Sequence, residues 1–167
     1  WLGMAILKYI EATSETDYLD CANSIAEFIL SMQDIDGGIK GGPKIDWYST
    51  EHNIDAHAFL RMMFANTNDT KYKYGSDKIL NWLVNVVFIK EEYRFMRGKK
   101  DLAVATDTVS FGIPAVGVKT FFENGIDSEK LVEFIEGTTK VTDQFKNNKD
   151  EVFEITGFDY IHPQNTG

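Results

Sequence analysis

Between positions 46 and 55 the sequence reads Asp46-Trp47-Tyr48-Ser49-Thr50-Glu51-His52-Asn53-Ile54-Asp55, with three carboxylates, one imidazole and two large aromatics in ten residues. A Gly-rich loop precedes this string and an apolar run follows it, so it straddles the entry to a helix beginning near Glu51. On that helix Glu51 and Asp55 stand about 40° apart, with His52 between neighbouring turns of the same side. Free N–H groups and the positive end of the helix dipole would meet ligand carboxylates, hydroxyls or an anion there. The same residue types also have structural duties. Ser49 or Thr50 fits an N-cap, and Glu51 fits a first-turn carboxylate resting on the dipole. Asp107 opens a later helix as Glu51 opens this one, so both carboxylates are expected at one rim, with a plain N-cap as the alternative for Asp107.

Metal chemistry finds little support in the pattern. His52 and His57 lie about 140° apart round a helix, which is not the i, i+4 arrangement of a zinc-binding pair. Asp34-Ile35-Asp36-Gly37-Gly38 opens like a calcium loop but lacks the third oxygen ligand and the closing Glu. No metal and no cofactor is expected. Cys21 is the only cysteine, which removes disulfide frameworks and thiolate zinc sites together. Its place within a helical pattern predicts a buried, inert thiol.

Composition narrows the class further. The chain has 167 residues, 43% hydrophobic and 26% charged, the make-up of one folded domain with a core of its own. Net charge is −9 with no basic cluster longer than Lys99-Lys100, which argues against a nucleic-acid partner. No apolar run approaches the ~18–20 residues needed to span a bilayer.

Six helices must position these residues, at about 1–12, 17–32, 51–65, 72–87, 108–122 and 128–146. Thr16 is the expected N-cap of the second, Asp127 or Ser128 that of the sixth, and Gly125 follows the fifth where a left-handed residue is wanted. The helices pair into three hairpins, about 1–32, 51–87 and 108–146. Ala5-Ile6-Leu7-Lys8 lines up with Ala58-Phe59-Leu60-Arg61, and Ile25-Ala26-Glu27-Phe28-Ile29 with Ile79-Leu80-Asn81-Trp82-Leu83, an offset of 53 to 54 residues. Such a period exceeds the common short helical repeats and suits pairs of long helices. Two connections, Gln33 to Ser49 and Ile89 to Asp107, exceed the ~2–8 residues usual between helices, which marks them as functional loops. The second alternates polar and bulky residues, Glu91-Glu92-Tyr93-Arg94-Phe95-Met96-Arg97-Gly98, in the manner of a short β-ribbon. The third helix is apolar nearly all round and is expected to be buried; the second and fourth are amphipathic and belong outside. The expected class is therefore all-α, three helical hairpins forming about half of an (α/α) toroid, with short β-like loops at one end.

The residues also carry a resemblance. Asp36-Gly37-Gly38, Gly41-Gly42-Pro43 and Trp47-Tyr48-Ser49-Thr50-Glu51-His52-Asn53-Ile54-Asp55 together resemble a stretch found in bacterial and archaeal proteins of the six-hairpin glycosidase-like class. The likeness extends to Trp1-Leu2-Gly3-Met4-Ala5, to Asp107 with an aromatic at Phe111 where a Trp would be expected, and to Gly157-Phe158-Asp159-Tyr160. It covers essentially the whole chain at the level of helical hairpins. It implies a cup at the loop end of the inner helices that receives a carbohydrate ligand. Asp46, Glu51 and Asp107 would then be candidate catalytic carboxylates. Trp47 and Tyr48 would stack on sugar faces, with His52, Asn53 and Asp55 as further substrate-binding residues. Glycoside hydrolysis uses two carboxyl groups, ~5–5.5 Å apart for retention or ~6.5–9.5 Å for inversion. The alternative is a non-catalytic carbohydrate-binding or scaffold domain that keeps the toroid without the chemistry. Terpenoid-cyclase-like chemistry would want an Asp-rich motif or an apolar cup, and neither stands out.

Residues 1–167 are read as a single domain and as part of a longer toroid. Trp1 already begins a helical pattern, and a leader would lie upstream, so no localisation is assigned. Half a ring leaves an apolar flank open. Further hairpins of the same chain, or an oligomer partner, are expected to cover it.

Overall fold

The sequence pattern predicts a loop over Gly157 to Pro163; the computed structural model describes residues 1–161, so His162 and Pro163 lie outside it. The architecture is mostly helical, with two small β-hairpins that an all-α reading does not include. The elements follow as α1 (Leu2–Thr13), α2 (Leu19–Ser31), α3 (Thr50–Thr67), α4 (Thr70–Trp82), β1 (Phe88–Ile89), β2 (Arg94–Phe95), α5 (Asp107–Ser110), α6 (Gly112–Val116), α7 (Val118–Glu123), α8 (Ser128–Thr138), β3 (Lys140–Lys146) and β4 (Val152–Phe158).

Helix α3 is the axis of the molecule. It packs on α1 and α2 from one side, on α4 as its hairpin partner, and on α5 and α6 from the other side. Its apolar residues are spread around the cylinder, and Ile54, Phe59, Leu60 and Met63 are all buried. Ser49 caps it, its Oγ accepting from the His52 N–H at 3.3 Å. Asn68 ends it in the left-handed conformation, φ 55°, and Asp69 caps α4 by accepting from the Lys71 N–H at 3.1 Å. Around this axis the core continues through Leu7, Tyr72, Ile79, Trp82, Phe95 and Phe121, all fully or almost fully buried.

Several boundaries differ from the expectation, each for a local reason. Helix α2 starts at Leu19 with Tyr18 at the cap position, because Thr16 is used in a turn whose carbonyl accepts from the Leu19 N–H. The fourth helix widens after Trp82 into a π-helical turn, Leu83–Val87, that leads into β1. The fifth helix is three short ones. Pro114 has no N–H to give to the Ser110 carbonyl, and the helix breaks at Phe111; Gly117, φ 93°, then breaks it again. The sixth helix stops at Thr138 and does not reach Lys146. The β-branched run Thr138-Thr139-Lys140-Val141-Thr142 enters β3, which pairs antiparallel with β4 from Lys140↔Phe158 to Lys146↔Val152. Gly157 and Phe158 thus belong to a strand and not to a loop. Phe145, Phe153 and Ile155 of this hairpin are exposed. Cys21, expected inside, is exposed on α2.

The two long loops meet at the N-terminal end of α3. The Thr50 N–H donates to the Arg97 carbonyl at 2.8 Å, and the Thr50 hydroxyl to the Met96 carbonyl at 2.6 Å. Gly98 passes so close that a Cβ there would stand 1.9 Å from the Tyr48 carbonyl oxygen. Lys99 reaches back to Asp36 of the first loop at 2.5 Å. Among the described residues no helix is long and apolar enough to cross a membrane.

Candidate functional site

Where the loops meet, a cleft of about 380 Å³ opens. Its walls include Trp47, Tyr48, Glu51 and His52 from the first loop and the start of α3. Arg97, Lys99 and Asp101 come from the second loop, and Tyr160 from the segment after β4. Glu51 lies in the first turn of α3, held there by the Ser49 cap. Asp107 is the first residue of α5 and lies buried close to Glu51. Burial and then the Asp107 charge raise the Glu51 pKa above the ordinary carboxylate range, with only His52 pulling the other way.

Asp107 is 8% exposed, and its buried Oδ1 meets no donor among the described residues. Tyr160 completes the cluster. Burial raises its phenol pKa, and the Asp107 carboxylate beside it raises it further. Backbone bonds fix the segment. The Thr106 N–H donates to the Tyr160 carbonyl at 3.0 Å, the Thr106 hydroxyl to the Asp159 carbonyl at 2.5 Å, and the Asp159 N–H to the Thr139 carbonyl at 2.8 Å.

The other expected site residues separate into those at the cleft and those with work elsewhere. Trp47 stands half exposed at 50%, its ring 5.8 Å from the His52 ring. Tyr48 is mostly buried; its hydroxyl donates to the Asp34 carboxylate, and the Lys99 ammonium lies 4.8 Å over its ring. Burial and the Asp34 bond push the Tyr48 pKa up, while the same bond holds that of Asp34 low.

Asn53, expected at the ligand, is fully buried and committed internally. Its amide accepts from the Ile39 N–H at 2.7 Å and donates to the Ile39 carbonyl at 3.0 Å and the Ser49 carbonyl at 2.8 Å, pinning the Gly-rich loop to α3. Asp46 does not line the cleft; its carboxylate points to solvent, 3.5 Å from Lys40. Asp55 accepts from the Trp1 indole N–H at 2.5 Å and lines a neighbouring groove of about 250 Å³ that shares His52 with the cleft.

Four cleft residues carry no role in the sequence reading: Arg97, Lys99, Asp101 and Tyr160. Arg97 and Asp101 form an ion pair at 2.6 Å across Gly98, a spacing visible in the sequence but meaningless without the loop's fold. Tyr160 stands in the Gly-Phe-Asp-Tyr string, whose only signal was the resemblance. Among the described residues no cluster of three or more His, Cys, Asp or Glu is placed to hold a metal ion.

No protein-family model matches this sequence, and no curated protein does either. A solved structure does. A glycoside hydrolase family 76 mannosidase from Bacteroides thetaiotaomicron VPI-5482 superposes with a TM-score of 0.58 at 11% identity. The shared property is the fold. The match takes in 92% of this chain and 47% of the mannosidase, so the chain spans about half the length of the structure it matches. Within this fold the start of α3 and the start of α5 lie close together.

Proposed function

We propose that this chain is carbohydrate-active, with Glu51 as the proton donor of a glycosidase-like cleft. The observation that carries the reading is the juxtaposition of Glu51 and Asp107: burial and a neighbouring carboxylate raise the Glu51 pKa, the direction in which a general acid is tuned. Trp47, half exposed at the rim, offers an apolar face to a sugar ring, and Arg97 and Lys99 offer donors to its hydroxyls. The likeness in fold to a mannosidase supports a saccharide as the ligand class.

Asp107 is buried and is not part of the cleft wall, so it does not supply the second of the two carboxyls that flank a scissile glycosidic bond. In this proposal Glu51 and Asp107 therefore act as one acid, with Asp107 positioning and charging it. The other carboxylate lining the cleft is Asp101, ion-paired to Arg97, and it takes the role of base or nucleophile.

A glycosidase panel and a glycan array, with Glu51→Gln beside the parent chain, test the reading. Hydrolysis that falls at least about a hundredfold in Glu51→Gln, with folding intact, is the expected result, because the amide cannot donate the proton. Trp47→Ala should weaken saccharide binding by about 1–2 kcal/mol through lost stacking area. Binding without hydrolysis, unchanged by Glu51→Gln, would replace the enzyme with the binding-domain reading, which the closeness of Glu51 and Asp107 favours as the second choice. No response to any saccharide removes both.

A further inference from the structure

Away from the cleft, the β3–β4 hairpin presents large apolar side chains to solvent. Val152, Phe153, Ile155 and Phe158 of β4 are each about half exposed. A two-stranded ribbon is marginal in water unless a further strand or a covered face supports it. Among the described residues β4 pairs only with β3, so its outer edge is open from Val152 to Phe158.

The register of the hairpin fixes which backbone groups point out. The Asn147 N–H donates to the Glu151 carbonyl at 3.0 Å, and the Asp159 N–H to the Thr139 carbonyl at 2.8 Å. Bonded and non-bonded pairs alternate along an antiparallel ladder. The odd-numbered residues of β4 therefore bond to β3, while Val152, Glu154, Thr156 and Phe158 turn their N–H and C=O groups outward. The open run stops there, because the Tyr160 carbonyl already accepts from the Thr106 N–H at 3.0 Å.

Charge decides what can pair with that edge. A two-fold dimer lays an edge strand antiparallel against its own copy. For β3, centred on Asp143, this sets Asp143 on Asp143 and Lys140 on Lys146, like charges directly opposed. For β4, centred on Ile155, the pairs are Val152 with Phe158, Phe153 with Gly157, Glu154 with Thr156, and Ile155 with itself. No like charges meet, and the glycine leaves room for the Phe153 ring. Sliding the strands by one ladder step sets Glu154 on Glu154 in one direction and Phe153 on Asp159 in the other. Beyond the ends of the strand Glu151 would face Asp159, which confines the pairing to β4 itself. Val152 of the second copy then stands beside Phe158, at an apolar groove of about 330 Å³ lined by Val109, Ile113, Val132 and Ile135. We propose that β4 is a self-recognition edge: two copies pair antiparallel from Val152 to Phe158 about a two-fold axis at Ile155, forming one sheet in the order β3–β4–β4–β3. A contact this short is smaller than that of a permanent dimer, so the association is weak and reversible.

Sedimentation velocity tests this on the chain between about 10 µM and about 1 mM, with about 0.15 M salt to screen its net charge of −9. A monomer–dimer equilibrium is expected within that range. Thr156→Glu sets a carboxylate against Glu154 at both symmetric ends and should weaken the dimer about tenfold. Thr156→Lys sets the opposite charge there and should keep or raise the parental affinity. Both variants lose the Thr142–Thr156 hydroxyl contact, so a shared loss of folding cannot produce the difference between them. Ile155→Cys, in a Cys21→Ser background that removes the exposed thiol, should give a disulfide-linked dimer on mild oxidation. The two cysteines would face each other in a non-bonded pair, with Cα atoms about 4.5 Å apart. A monomer throughout the range overturns the proposal. So does a dimer that Thr156→Glu and Thr156→Lys affect alike, or an Ile155→Cys chain that stays monomeric on oxidation.

Discussion

Glu51 loses twice when it ionises, once to burial and once to the Asp107 carboxylate against it. Its pKa in the folded chain is above its unfolded value, so the folded state binds more protons there over the pH range between the two values. The stability that goes with that proton is present below about pH 4, the ordinary range for a free Glu, and is lost as the pH rises through the folded value. Glu51→Gln should therefore match the parent chain in stability near pH 4 and exceed it at pH 7, measured by urea midpoints across that range. A constant difference at both pH values would mean that the two carboxyls are not coupled. Asp107→Asn should lower the Glu51 pKa, read by ¹³C carboxyl titration, because it removes a charge while keeping a donor within reach. These two residues were legible because each opens an inner helix after a long loop. Asn53 was not: nothing in its string distinguishes an amide that meets a ligand from one that clamps Ile39. Asp46 and Cys21 misled for a related reason, since residue type says what a side chain can do and only its direction says where.

At the scale of elements the loop contact is the decisive joint. Gly98 lies against the Tyr48 carbonyl with no room for a Cβ, and the obstacle is backbone and not a side-chain tip that could swing away. Gly98→Ala should separate the two loops, costing about 1–3 kcal/mol and the Thr50–Arg97 bond with it. A crystal structure or amide exchange at Thr50 reports the result; a parental exchange rate would show that the joint yields to a methyl group without opening. The long helices were readable from period alone, because α3 is apolar around its whole circumference and α2 and α4 along one stripe. The third hairpin was not. Pro114 was visible, but whether a proline kinks a helix or ends it depends on what receives the freed Ser110 carbonyl. The Thr-rich run after Thr138 satisfies a helical and a strand pattern alike, and its pairing partner lies beyond a turn at Asn147–Asp150.

For the molecule as a whole, α3 packs on the hairpins to either side of it. Leu60, fully buried at its middle, is thus a test of unity. Leu60→Ala should lower stability by about 2–5 kcal/mol, and far-ultraviolet circular dichroism and tryptophan fluorescence should lose their signals in one coincident urea transition. Leu131 on α8 is equally buried but packs at the edge, so Leu131→Ala should loosen the third hairpin first and split the two probes. Coincident loss in both variants would mean that the third hairpin is not separable from the rest.

The cleft is assembled from three stretches far apart in the chain, Trp47 to His52, Arg97 to Asp101, and Tyr160, the last more than a hundred residues from Glu51. Hairpins such as α3 and α4 are joined by two residues and close over short distances. Order of assembly follows from that difference. Contacts between sequence neighbours form early, and contacts that must close long loops wait for them. The helical scaffold should therefore stand before the cleft exists, and in the native state the cleft should open without the scaffold. Pulse-labelled amide exchange during refolding should protect Leu60 and Ile79 before Thr50 and Thr106, whose N–H groups tie in the second loop and the Tyr160 segment. Protein caught in that interval would have its helices in place without a formed cleft, so cleft protection should appear later than helical signal.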